Sequence, residues 1–302
     1  MREHLTRDEL RALVLPGGTV SPEAGAHFAR CVVCQVRLAD EEPETGRQLL
    51  DQLRPVLRRV ERLSVEALCD EMRRAADMID LAVALASETL EGRGKGALLS
   101  ELSPVAAGVG FIQVCPPYRL RNPRGLQDLA LRLVEPLRNV IPEGEVLASE
   151  VLAQVEAELA NSFRILGTHR SGLPFLRAAL NRAREGTAAV RARVRYLGAL
   201  FFRDVRDFES ADILARSSEA AYREIYDQAG VEASQLLRAV SLFMQGRLSE
   251  ARGEAERLIA QGPVDQVTEA GATQLAARVL TLEGNCWAAA SLLPKIRRVI
   301  DS

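Results

Sequence analysis

The sequence predicts an all-α protein: a small N-terminal helical unit stapled by a bound ion, followed by a solenoid of helical hairpins. Two observations carry this expectation. The first is the cluster His27-x3-Cys31-x2-Cys34, in which His27 and Cys31 share one helix face and Cys34 follows three residues later. The second is a set of small and bulky residues that recurs every 38 to 40 positions through the C-terminal half. A period of that length belongs to stacked helix pairs, each of which buries its apolar face only against its neighbours.

The N-terminal cluster points to zinc. An imidazole and two thiolates aimed from one helix end at a single point suit a tetrahedral ion of mixed nitrogen and sulfur preference, which needs one more ligand. The other histidines are His4 and His169. His4 precedes a first short helix that can fold back on the second, so the expected ligand set is His4, His27, Cys31 and Cys34. The alternative is two cysteines packed in a small core with His27 on the surface. The local signals favour two helices here. Thr6-Arg-Asp-Glu9 reads as a capping box, and Pro16-Gly-Gly18 ends the helix that it starts. Ser21-Pro22-Glu23 then supplies a serine N-cap, a proline in the first turn and an acid beside it. Under 40 residues of helix cannot bury enough apolar surface alone, and a metal supplies what the core lacks.

Composition bounds the rest. The 302 residues are enough for two domains, with 47% hydrophobic and 26% charged residues. A net charge of −2 speaks against a general nucleic-acid or membrane-surface binder, which shows a basic excess. The N-terminus is too charged for a signal peptide. The longest apolar run, Pro104 to Cys115, is well short of the roughly 20 residues that span a bilayer. Five cysteines, of which Cys69, Cys115 and Cys286 are scattered, form no disulfide framework, so a reducing cytoplasm is expected.

Beyond the cluster, Asp40-Glu-Glu-Pro-Glu-Thr45 is an acidic linker. Residues 46–90 read as two helices, the second with an apolar face of Leu68, Met72, Ala75, Met78, Ile79, Ala82 and Leu85. Gly92-Arg-Gly-Lys-Gly96 lacks the full phosphate-loop pattern and a preceding strand, and reads as a flexible loop. The expected organisation is therefore 1–38 for the zinc unit, 39–96 for linker and helices, and 97–302 for the repeats.

In the repeats, Gly167, Arg206, Gly246 and Gly284 are equivalent, at spacings of 39, 40 and 38. Seven before each stands an alanine (Ala160, Ala199, Ala239, Ala277), and five after each a small residue (Gly172, Ala211, Ala251, Ala289). Four before each comes Phe163, Phe202, Leu242 or Leu280; two after comes His169, Phe208, Leu248 or Cys286. Small residues let paired helices approach, and large ones plug the seam to the next pair.

Two resemblances follow from these residues. His4-Leu-Thr-Arg-Asp-Glu-Leu10, the segment Gly17–Glu23 and His27-x3-Cys31-x2-Cys34 together resemble the anti-sigma-factor-type zinc finger, over residues 1–38. Arg206-Asp-Phe-Glu-Ser-Ala211 and Gly246-Arg-Leu-Ser-Glu-Ala251 resemble the turn and second-helix start of tetratricopeptide repeats, over about 144–302. A related helix pair precedes these, with Asn122-Pro123 opening its second helix. The whole chain resembles a bacterial class that joins the two modules, and that resemblance implies protein–protein interaction and regulation rather than a reaction. It also admits a soluble anti-sigma factor that clasps a sigma factor, and a redox sensor in which oxidation of Cys31 and Cys34 expels zinc.

No nucleophile elbow, metal-hydrolase helix or dinucleotide loop is present, and four protein ligands would close the zinc site to a water nucleophile, so catalysis is not expected. His169 is expected to pack in a turn against the next helix. The residues expected to line a partner groove on the first helices are Arg164 and Arg203, three before their markers, Asn161 and Arg278, six before, and Tyr196, ten before. Guanidinium groups one repeat apart suit a carboxylate-bearing, acidic segment of a partner protein. The competing expectation is local pairing one helical turn away: Asp207 offers it to Arg203, while Arg164 has only Ala160 and Thr168 at that distance.

Overall fold

The computed structural model describes residues 65–92, 102–141, 146–262 and 266–300, together with residues 9, 12, 21 and 24. His4, His27, Cys31 and Cys34 lie outside the described residues, as do the acidic linker, the first of the two helices expected over 46–90, and residues 93–96 of the glycine-rich loop. The chain divides into two compact units, residues 1–77 and 78–302. In the first, Glu9, Ala12 and Ala24 are helical. The Ala24 amide donates to Ser21 Oγ at 3.1 Å, which is the N-cap bond expected of that serine.

Among the described residues every regular element is a helix: α1 (Val65–Leu90), α2 (Pro104–Arg121), α3 (Pro123–Val140), α4 (Val146–Ile165), α5 (His169–Arg182), α6 (Ala188–Asp204), α7 (Phe208–Glu224), α8 (Gln228–Met244), α9 (Leu248–Gln261), α10 (Gln266–Leu282) and α11 (Cys286–Ile300). The fold class is all-α, built as the expected helical-hairpin solenoid. Over residues 73–90 of α1 the buried positions are Ala82, Ala86 and Leu90, a spacing of four. Of the expected face, Ala82 is buried and Leu85 packs against the core, whereas Ala75 is exposed and Met78 is 42% exposed, which corrects those two positions. The cause lies at Gly110 of α2, where a Cβ would come within 2.6 Å of the Ala82 carbonyl carbon. The two backbones meet from Ala82 onward, and Ala75 and Met78 precede that contact.

Asn122 joins three helices. Its backbone N–H closes α2 on Tyr118, its side-chain oxygen accepts from Gly125 N at 2.9 Å, and its Nδ2 donates to the Leu90 carbonyl at 2.7 Å. Pro123 follows at the first helical position, as expected for the start of α3. In α3 the buried residues are Leu126, Leu129, Ala130, Leu133, Val134 and Leu137, a single helical stripe.

From α4 onward the period governs. The marker residues Gly167, Arg206, Gly246 and Gly284 all adopt left-handed backbone, with φ of 75°, 64°, 78° and 81°. Each closes its first helix with paired bonds: Gly167 N donates to Arg164 O and Thr168 N to Phe163 O, and the pattern repeats at the other three turns. This is the Schellman arrangement, which turns the chain in three residues and satisfies the terminal carbonyls. Tyr226, with φ of 57°, makes the same turn between α7 and α8, where Asp227 N donates to Tyr222 O. Asp207 and Asp227 then cap α7 and α8 through Ser210 N and Gly230 N.

The expected seam is in place. Ala160, Ala199 and Ala239 are at most 1% exposed and Ala277 is 9% exposed; Ala211, Ala251 and Ala289 are buried as well. At Gly172 a Cβ would lie 2.8 Å from Phe163 Cβ, so no larger residue fits there. The first helices α2, α4, α6, α8 and α10 pack directly on one another in sequence, while each second helix packs on its own first helix and on the next one. The first helices therefore form the inner layer of the solenoid. No helix among the described residues is long and apolar enough to cross a membrane.

Candidate interaction site on the inner helix layer

The site grows from α4, which is buried nearly all round from Val151 to Ser162. A helix with no solvent face reads as apolar throughout, yet α4 carries Glu156 and Glu158, 0% and 1% exposed. Each buried carboxylate must therefore be paired. Glu156 accepts from Arg138 Nη2 of α3 at 3.0 Å and from Arg182 Nε of α5 at 3.2 Å. Glu158 faces the inner layer. It accepts from Arg119 of α2 through Nε at 3.1 Å and Nη2 at 2.5 Å, and from Arg193 Nη2 of α6 at 2.6 Å. Asn161 Nδ2 is 3.4 Å from the same carboxylate.

A second carboxylate lies one helix end away. Arg164 on α4 donates Nε to Asn161 Oδ1 at 2.9 Å and Nη1 to Asp204 Oδ2 at 2.5 Å. Arg203 donates Nε and Nη2 to Asp204 Oδ1 at 2.9 and 2.8 Å. Asn161, Arg164 and Arg203 thus meet in one bonded network, joined by Arg119, Glu158, Arg193 and Asp204. The local pairing of Arg203 is with Asp204; Asp207 is engaged as the cap of α7. Arg164 finds its acid 40 residues away, across the hairpins.

The electrostatics follow from burial and charge. Burial pushes the Glu158 carboxyl up, but Arg119 and Arg193 outweigh it and hold it below its ordinary value. At Asp204 burial again pushes upward, and the hydrogen bonds from Arg203 and Arg164 hold the carboxyl down. Burial raises the Tyr196 phenol, opposed in turn by Arg203, Arg119, Arg164 and Arg193. Tyr196 therefore sits in the field of four guanidinium groups, whose bonded acids are Glu158 and Asp204. Cys115 adjoins this network. Its thiol is pushed well above the ordinary value by burial and by Glu158, so it stays protonated and unreactive.

The remaining candidates stand apart. Arg278 on α10 is exposed and takes no part in this network. His169, the first residue of α5, sets its ring edge-on to Phe201 of α6 at 5.5 Å. That is the expected turn packing, and its Nε2 is buried without a hydrogen-bond partner among the described residues. Arg119, Glu158, Arg193 and Asp204 were not expected. The signal for Glu158 was available: an acid set in Val-Glu-Ala-Glu-Leu-Ala, where every neighbouring face is apolar, requires a buried partner.

No protein-family profile matches the chain, and no curated protein matches it. Among solved structures, the chain is similar to the crystal structure of nearly identical TPR-like repeats of a candidate kinesin light chain from Podosopora anserina. The identity is 17%, the TM-score 0.45, and the alignment covers 63% of this chain and 92% of that one. At that score the likeness is loose.

Proposed function

We propose that the chain is an interaction scaffold whose inner helix layer binds a carboxylate-rich segment of a partner protein. The observation that supports this reading is the ratio at the site: Arg119, Arg164, Arg193 and Arg203 share the two carboxylates Glu158 and Asp204, and the field of all four acts on the Tyr196 phenol. Each carboxylate is shared by two arginines, so the cluster carries a net charge of +2 although every guanidinium is bonded to an acid. The four arginine side chains are between 15% and 28% exposed. Arginine presents a planar fork that matches a carboxylate, which a lysine does not. In this reading the N-terminal unit is a second docking module that holds zinc through His4, His27, Cys31 and Cys34. The sigma-factor and thiol-oxidation readings rest on that N-terminal motif alone.

The test is affinity purification with the tagged chain, followed by binding measurements on the captured partner at rising salt. The expected result is an acid-rich binding segment, affinity that weakens with salt, and a loss of at least about tenfold in the Arg164→Ala, Arg203→Ala double variant with its helical content intact. A partner that binds the double variant with unchanged affinity places the interaction elsewhere.

A further inference from the structure

Of the two acids at the site, Glu158 and Asp204 are held very differently. Glu158 is 1% exposed and bound from two neighbouring helices, so it is a permanent counter-ion. Asp204 is 26% exposed. One of its two partners is its own neighbour in sequence, Arg203, and only Arg164 reaches it from another helix. It is also the last residue of α6, the end of a helix at which a carboxylate is disfavoured by the aligned peptide dipoles. The equivalent positions of the other repeats are Ile165, Met244 and Leu282, so the repeat itself does not need an acid there.

We infer that Asp204 is a resident stand-in for the partner's carboxylate, and that binding proceeds by exchange, the incoming acid taking its place on Arg164 and Arg203. The inference rests on the acidic-segment reading above and specifies how that site is regulated. The Asp204 carboxyl shows how a carboxylate sits there: one oxygen takes Nε and Nη2 of Arg203, and the other takes Nη1 of Arg164. While Asp204 occupies this seat, it screens both arginines and repels a second acid. Weak acidic segments are thereby rejected, and a segment that also engages Arg119 and Arg193 gains entry.

The experiment uses the full chain and a fluorescein-labelled hexaglutamate peptide as the probe. Asp204→Asn keeps the shape and removes the charge, and it should bind about tenfold more tightly than wild type, the order that one like charge at a docking surface imposes. The Arg164→Ala, Arg203→Ala change should abolish the gain. An Asp204→Asn variant that binds the peptide as weakly as wild type, or more weakly, overturns the exchange while leaving the acidic-segment reading standing. If neither protein binds the peptide, that reading fails and the exchange fails with it. A measurement on wild type is independent of any folding defect in the variant: the carboxyl carbon-13 signal of Asp204 should move as the peptide saturates the site. A signal that stays fixed at saturation also overturns the inference.

Discussion

Arg119 and Glu158, 39 residues apart, are joined by two hydrogen bonds from one guanidinium to one carboxylate. The carboxylate is buried, and Arg193 completes its coordination from the other side. The consequence for stability is direct. Glu158→Gln would leave Arg119 and Arg193 facing each other without their counter-ion. Breaking a buried pair on one side typically costs about 3 kcal/mol, and calorimetry of the variant should show a loss of that order. The carboxyls of Glu158 and Asp204 are held below their ordinary values in the folded chain. Their contribution is therefore full above the unfolded carboxylate range, about pH 4, and is lost as pH falls through their lowered folded values. The Glu158→Gln variant should show a shallower acid limb than wild type; an identical limb would remove Glu158 from this account.

The seam alanines should resist bulk in proportion to their burial. Ala239→Leu and Ala277→Leu should each cost about 1–3 kcal/mol by overpacking. Ala239, at 0% exposed, should cost more than Ala277, at 9%. Ala260→Leu, at an exposed position, should leave the thermal midpoint almost unchanged. Equal midpoints for all three variants would contradict the packing.

Arg206 holds a left-handed turn with φ of 64°, where the other three markers are glycine. Arg206→Gly should therefore stabilise the chain by about 0.5–1 kcal/mol, since glycine adopts this conformation without a Cβ clash. Gly246→Arg should act in the opposite direction. Chemical denaturation of both variants checks the sign, and a destabilised Arg206→Gly would mean that the arginine side chain contributes more than its backbone strain removes.

Zinc binding, proposed from the ligand spacing, predicts one metal ion per chain by elemental analysis. Cys31→Ser and Cys34→Ser should lose it and with it the fold of the N-terminal unit, because metal supplies folding free energy on the order of 10 kcal/mol in so small a unit. Normal zinc content in both variants would sink the assignment. His4→Ala tests the fourth ligand: retained tetrahedral coordination would place that ligand elsewhere.

The repeat register was legible because it is periodic. Alanines at a spacing near 39 mark a seam whatever lies between them, and Ala160, Ala199 and Ala239 are all buried. The turn at Tyr226 was not legible, because a tyrosine gives no hint of left-handed backbone; only the chain around it forces that conformation. The charge network was half legible. Arg164 and Arg203 fall at the same repeat position, which makes both visible in the sequence, but the four-residue spacing pairs Arg203 with Asp207. In the structure Asp207 serves as a helix cap, and the acid that counts lies next door. Glu158 and Arg119 are joined only by the stacking of α4 against α2, a relation that no sequence spacing encodes.

Glu156 and Glu158 also set the mechanics of α4. Two residues apart on a helix, they point in directions about 200° apart, one tied to α3 and α5, the other to α2 and α6. A helix clamped from opposite sides in this way cannot roll about its own axis without breaking one set of bonds. It behaves as a keyed shaft. Its azimuth is fixed by bonds to four neighbouring helices.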